Sequence, residues 1–253
     1  MARNSISRIG ETKKNNFGSI IEIVGYRRID DIDIYFPEYN WTLYNTYYQS
    51  FQLGVVKCPY EPRHYSKGYL GEGEYNVEDH KRCYNTWVHM LSRCYSEIYQ
   101  IKRPTYKGCV VCDEWLNYQV FAQWYYNNYY EIEGEIMNLD KDILYKGNRV
   151  YSPDTCVFTP QCINSLFIKS TSVRGDLPIG VKLDKRSMRY QARCCDGSRK
   201  RIGLGTYDTP EEAFHAYKVY KERLIKQIAD NYFNKIPIKL YEAMYNYTVE
   251  IND

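Results

Sequence analysis

The chain has 253 residues, room for two or three small domains, with 34 Lys and Arg against 31 Asp and Glu and a formal net charge of +3. That near-balance excludes a uniformly basic protein, so any basic surface has to be local. No apolar run approaches the ~20 residues that cross a bilayer, and the polar stretch from Met1 to Lys14 has no hydrophobic signal core, so the chain reads as soluble and cytoplasmic, with no membrane partner.

Residues 1–75 read as a small β-rich domain of several short strands, of an SH3-like kind. Ile20 to Val24 is a strand, Arg27 to Asp31 a turn, and Asp31 to Phe36 alternates strictly, as a half-buried strand does. Gly68, Gly71 and Gly73 follow without the strand-to-helix context of a phosphate loop. Next, Cys83, Trp87, Met90, Leu91 and Cys94 fall at helical spacing and predict one apolar helix face. Asp113 is positioned to cap a second helix that turns Trp115, Leu116, Val120, Phe121 and Trp124 inward. Leu139 to Asp142 is a short strand, Gly147-Asn148 a turn, Ser152-Pro153-Asp154 a bend, and Val157-Phe158 a second strand before a helix near Pro160.

Beyond Arg174-Gly175-Asp176-Leu177-Pro178, a natural boundary, three strands are expected: Ile179 to Leu183, Tyr190 to Cys195 and Arg201 to Leu204, with Asp196-Gly197-Ser198 as a turn. Thr209-Pro210-Glu211-Glu212 opens a long helix, with Thr as cap and Pro at the first helical position. A short helix from Ile238 to Met244 and a closing strand from Tyr247 to Ile251 complete the chain. Alternation turns Val181, Leu183, Tyr190, Ala192, Cys194, Ile202 and Leu204 toward the helix and Lys182, Gln191, Arg193 and Arg201 away from it. Between Gly180 and Gly205 eight cationic residues face two acidic ones, a local excess of six on a chain whose net charge is +3. That is the footprint of a phosphate-binding surface, although many solvated sheet faces also carry Lys and Arg.

The nine Cys, an odd and scattered set, read as reduced and mostly buried thiols. Cys109-x-x-Cys112 raises structural zinc, which Cys94 or Cys156 would complete; buried free thiols are the blander reading. The 29 Tyr can stack on bases, but a codon bias toward Tyr, Asn, Ile and Lys explains them without a site.

Two family resemblances sharpen these readings. The run Gly180-Val181-Lys182, Arg189 to Arg193, then Arg201-Ile202-Gly203-Leu204-Gly205-Thr206-Tyr207-Asp208-Thr209-Pro210-Glu211-Glu212-Ala213 with Ala216-Tyr217 resembles the AP-two/ethylene-response-factor (ERF) DNA-binding domain. The resemblance implies a three-stranded antiparallel sheet packed on a long helix that contacts double-stranded DNA. Lys182, Arg193 and Arg201 fall at contacting positions, and Lys185, Arg186, Gln191 and Arg199 lie on or beside the same face. Asp184 and Gly203 stand where plant members carry Arg and Trp, so plant specificity is not implied.

Tyr84-Asn85-Thr86-Trp87, Tyr106-Lys107-Gly108, Val111 to Trp115, Leu139 to Asp142 and Tyr151 to Phe158, ending at Asn164, together resemble a phage and bacterial HNH-endonuclease-like family. This implies a ββα-metal module at 76–173, with Asp140 and Asn164 holding Mg²⁺ or Mn²⁺. Lys141 occupies the general-base position, where a His normally takes a proton; a Lys of ordinary pKa ~10.4 is charged at neutral pH. Of the four His, only His89 lies on an element close enough in sequence to check.

The expected architecture is therefore α+β: the β unit at 1–75, a helical segment leading into a degenerate ββα module at 76–173, and at 174–253 the AP-two/ERF-like domain with a C-terminal helical extension. Three functions remain open: a homing-endonuclease-type DNA-binding protein with metal-dependent phosphodiester cleavage, a catalytically inactive regulator or phage inhibitor of host defence acting through DNA or a host or phage protein, and a protein-binding module without nucleic acid.

Overall fold

The computed structural model describes residues 7–168, 175–195 and 200–253. Two compact units, 1–125 and 126–253, divide the chain within the segment read from sequence as 76–173.

In the first unit, β1 (Thr12–Lys14), β2 (Ile20–Arg28), β3 (Asp31–Phe36) and β4 (Trp41–Thr46) form an antiparallel sheet in sequence order. Its apolar side, Ile21, Ile23, Ile32, Ile34 and Phe36, packs with Tyr48 and Phe51 of α1 (Tyr48–Leu53). Arg27 and Arg28, expected in a turn, belong to β2. The Arg27 guanidinium donates to both oxygens of Asp33 on β3, each at 2.7 Å, and to Asp31, so the pair holds the strands together to their ends.

The chain continues through α2 (Lys81–Tyr95), α3 (Glu97–Lys102), the two-residue strand β5 (Val110–Val111) and α4 (Tyr118–Asn128). The apolar stripe of α2 is buried as the spacing predicts. Asp113 does not cap the next helix. It lies inside a short 3₁₀ turn, Asp113–Leu116, and Asn117 takes the capping role, its Oδ1 accepting from the Gln119 N–H at 2.9 Å. Val120, expected inside, is 40% exposed.

The second unit begins with β6 (Met137–Asp140), β7 (Val150–Tyr151), β8 (Val157–Pro160) and α5 (Gln161–Leu166). β6 and β8 pair antiparallel, with Asp140 opposite Val157. Then come β9 (Val181–Asp184), β10 (Arg189–Cys195), β11 (Arg201–Tyr207), α6 (Pro210–Tyr232) and α7 (Ile238–Tyr245). The three strands form an antiparallel sheet in the order β11-β10-β9. α6 opens with the expected capping box: the Thr209 hydroxyl accepts from the Glu212 N–H and the Glu212 carboxylate accepts from the Thr209 N–H.

α6 serves two cores. Ala213, Phe214, Tyr217 and Leu224 pack under the sheet on Val181, Ala192 and Cys194. Ile225 and Ala229, further along, pack with Ile143, Val157, Ile163 and Leu166 and with Leu240 and Met244 of α7. The strand expected from Tyr247 to Ile251 does not form. Side chains of α6 take the backbone groups a ladder would need: Lys218 donates to the Val249 carbonyl and Glu222 accepts from the Val249 N–H at 2.8 Å. Among the described residues no helix is long and apolar enough to cross a membrane.

Candidate nucleic-acid interface

The β9–β11 sheet is built by period-two alternation. Val181, Ala192 and Cys194 are buried against α6, while Leu183, Tyr190, Ile202 and Leu204 share their parity and are half-buried. The intervening Lys182, Arg193 and Arg201 are exposed and Gln191 is half-buried. Register sets their neighbours. Gln191 lies opposite Lys182 on β9 and Thr206 on β11, Arg193 opposite Gly203, and Cys195 opposite Arg201. The ladder shifts between Ala192 and Arg193, where Leu204 is the extra residue on β11, and such bulges strengthen the local twist.

One position under the sheet has to be glycine. Gly180 has φ +79°, and a Cβ there would meet the Tyr217 ring at 2.1 Å. The close approach lets the backbone leading into β9 lie directly on α6, with the Arg193 N–H bonded to the Gly180 carbonyl at 2.8 Å.

The β9–β10 turn is organised by Asp184. Its carboxylate accepts from the Arg186 N–H at 3.1 Å, the Ser187 hydroxyl at 2.9 Å and the Gln191 amide at 3.4 Å. The Arg186 N–H and then the Ser187 hydroxyl hold that carboxyl below the usual range. Lys185 and Arg186 project from this turn and are exposed. Arg189 is neutralised by Asp208 at 2.7 Å, and Arg193 donates to the Gln191 side-chain oxygen. Lys182, Lys185, Arg186 and Arg201 have no side-chain hydrogen bond or ion pair among the described residues. Arg199 lies outside the described residues.

Asp140, Lys141 and Asn164 sit elsewhere in the same unit. The Asp140 Oδ1 accepts from the backbone N–H groups of Asp142 and Ile143 at 2.9 and 2.8 Å, closing the turn after β6. Desolvation, then the neighbouring Asp142 charge, pushes its pKa up to about 6, against the pull of those N–H bonds and of Lys141. Lys141 is only 7% exposed. Its Nζ donates to Asp142 Oδ2 at 3.1 Å and to the Asn148 carbonyl at 3.0 Å, while the Asn148 amide donates back to the Lys141 carbonyl at 2.6 Å. The Lys141 ammonium thus fastens the 141–148 loop. Asn164 is half-buried on α5.

Cys109 and Cys112 flank β5 in the first unit, and all nine Cys are free thiols. Burial lifts the Cys112 thiol to about 11. Among the described residues no group of three or more His, Cys, Asp or Glu is gathered to hold a metal ion. His89 is exposed on α2. His64 stacks edge-on against Tyr84 and Trp87, and burial lowers its pKa.

Sequence reasoning missed Lys221. It is 8% exposed and lies under the sheet among the apolar residues of α6. The signal was present: Lys221 falls four residues after Tyr217 and three before Leu224, on the buried stripe.

Residues 177–227 match the AP2 domain family, a span from just before β9 through most of α6. The match supports an AP2/ERF-type DNA-binding domain in the C-terminal part of the chain, and with it DNA binding. Neither a curated protein nor a solved structure matches the chain.

Proposed function

We propose that the protein binds duplex DNA through the outer face of the β9–β11 sheet, with Lys182, Lys185, Arg186, Gln191, Arg193, Arg199 and Arg201 as the contacting residues. The observation that carries this reading is a row of outward cations without internal partners on a sheet that belongs to the AP2 match. Strands of a β-sheet can enter the B-form major groove. Lys182, Lys185, Arg186 and Arg201 supply phosphate contacts. Gln191 and Arg193, bonded side by side at mid-sheet, present donors and an acceptor to base edges. Titration of a duplex at several salt concentrations tests this. With four or five phosphates neutralised, log affinity falls against log salt with a slope of about −4. Binding that ignores salt, or no binding, contradicts it.

A second reading, homing-endonuclease-type cleavage, is favoured by one specific arrangement. The antiparallel β6–β8 pair feeds directly into α5, and neither Asp140 Oδ2 nor the Asn164 side chain has a hydrogen bond among the described residues. Both are hard oxygen donors of the kind Mg²⁺ and Mn²⁺ take, and such an ion, when bound, stabilises charge on a phosphate. Lys141 opposes this reading, because its ammonium is engaged by Asp142 and Asn148 and is not a proton acceptor. Incubation with supercoiled plasmid and either metal decides. Nicking that disappears in Asp140→Ala supports cleavage. Intact plasmid with both metals leaves a non-catalytic DNA-binding regulator, or an inhibitor of host defence.

A further inference from the structure

Lys221 is the one buried cation under the sheet that the DNA-binding face does not use. Its side chain has no hydrogen bond or ion pair among the described residues, and desolvation lowers its pKa. An ammonium held out of water without a counterion is costly, and a ligand anion beside it would relieve that cost. Lys221 is not sealed in. It lines a cavity of about 450 Å³ together with Lys182, Arg193, Arg201, Cys194 and Tyr217.

Sheet register explains how the cavity reaches both faces. β9 pairs with β10 only as far as Val181 opposite Ala192. Beyond the bond from the Arg193 N–H to the Gly180 carbonyl, Cys194 and Cys195 extend past β9, and a gap opens beside them. The outward residues Lys182, Arg193 and Arg201 rim that gap, while the inward Cys194 and Tyr217 lie deeper with Lys221. Four cations and no carboxylate line the cavity among the described residues, so its chemistry selects an anion with several oxygens.

We propose that this cavity is a phosphate-binding pocket, with Lys221 as the inner ligand and Lys182 and Arg201 as the rim. The phosphate comes either from the backbone of bound DNA, which rests on the DNA-binding reading above, or from a free phosphate-bearing small molecule, which does not.

Two measurements on the full chain, wild type and Lys221→Met, separate the sources. Melting is followed in inorganic phosphate and in chloride at matched ionic strength, and duplex affinity is followed across salt. If free phosphate is the ligand, phosphate raises the wild-type melting temperature and leaves the variant unmoved. If DNA is the source, the variant loses about one unit of the log-salt slope, with affinity lowered evenly across sequences. Either result supports the pocket, and the phosphate arm reads even if the protein binds no DNA. Equal behaviour of wild type and variant in both measurements overturns it. Should Lys221→Met fail to fold, Lys221→Gln reads the same two quantities.

Discussion

The β6–α5 region and the β9–β11 sheet use the same residue types to opposite ends. Each has an aspartate that closes a turn by accepting backbone N–H groups: Asp140 from Asp142 and Ile143, Asp184 from Arg186. Burial raises the pKa of Asp140 to about 6, whereas hydrogen bonds hold the half-buried Asp184 below the ordinary carboxylate range. Each region also carries lysines. Lys141 spends its charge on Asp142 and the Asn148 carbonyl, and Lys146 on Asp253 at 2.7 Å. Lys182, Lys185 and Arg201 of the sheet region make no side-chain hydrogen bond or ion pair among the described residues. A cation that is already satisfied is part of the scaffold; one that is not remains available to a phosphate. By that criterion the sheet has the character of the proposed binding surface, and the β6–α5 region that of scaffold.

Four substitutions or titrations can break or sharpen this contrast. The largest stability effect is expected from Gly180→Ala, which adds a Cβ against the Tyr217 ring at a positive φ. A loss of roughly 2–4 kcal/mol in a denaturant melt follows from strain and overpacking combined, without any change in surface charge. Lys141→Met comes next. It strips the Asn148 carbonyl and Asp142 of a donor and should cost roughly 2–3 kcal/mol while leaving duplex affinity within about twofold. An affinity collapse without destabilisation would instead make Lys141 a DNA contact.

The two aspartates should titrate in opposite senses by carboxyl NMR. Asp140 contributes stability that is fully present below the unfolded carboxylate pKa and is lost as pH rises through about 6. Asp184 contributes stability that is present above the unfolded pKa and is lost as pH falls through its lowered folded value. An Asp140 that titrates below the ordinary range would contradict this contrast and place a cation beside the carboxylate. The smallest effect belongs to Thr209→Ala, which opens the capping box of α6 and should cost about 1 kcal/mol.

The sheet was legible in the sequence because strand alternation has a two-residue period and each strand offers several tests of it; Lys182, Arg193 and Arg201 are exposed where alternation put them. The capping box was legible because both partners lie within four residues of sequence. Errors arose where the deciding partner was remote or one of several. Asp113 has the chemistry of a cap, but the 3₁₀ turn passes that role to Asn117. Tyr247 to Ile251 has strand propensity, but Glu222 and Lys218, more than twenty residues upstream, claim the backbone of Val249. The inward turn of Lys141 depends on the Asn148 carbonyl, a backbone atom that no side-chain pattern reveals. Lys221 was overlooked because a charged residue within an apolar stripe reads as an interruption of it.

The most direct test of DNA binding through the sheet is duplex affinity, at physiological salt, of the Arg193→Glu, Arg201→Glu double variant beside Lys141→Met. Reversal of two outward charges should lower affinity on the order of a hundredfold or more and flatten the log-salt slope by about two, with the melting temperature little changed because both side chains are exposed. Lys141→Met should bind as wild type does. A double variant that binds duplex DNA as tightly as wild type would contradict the account.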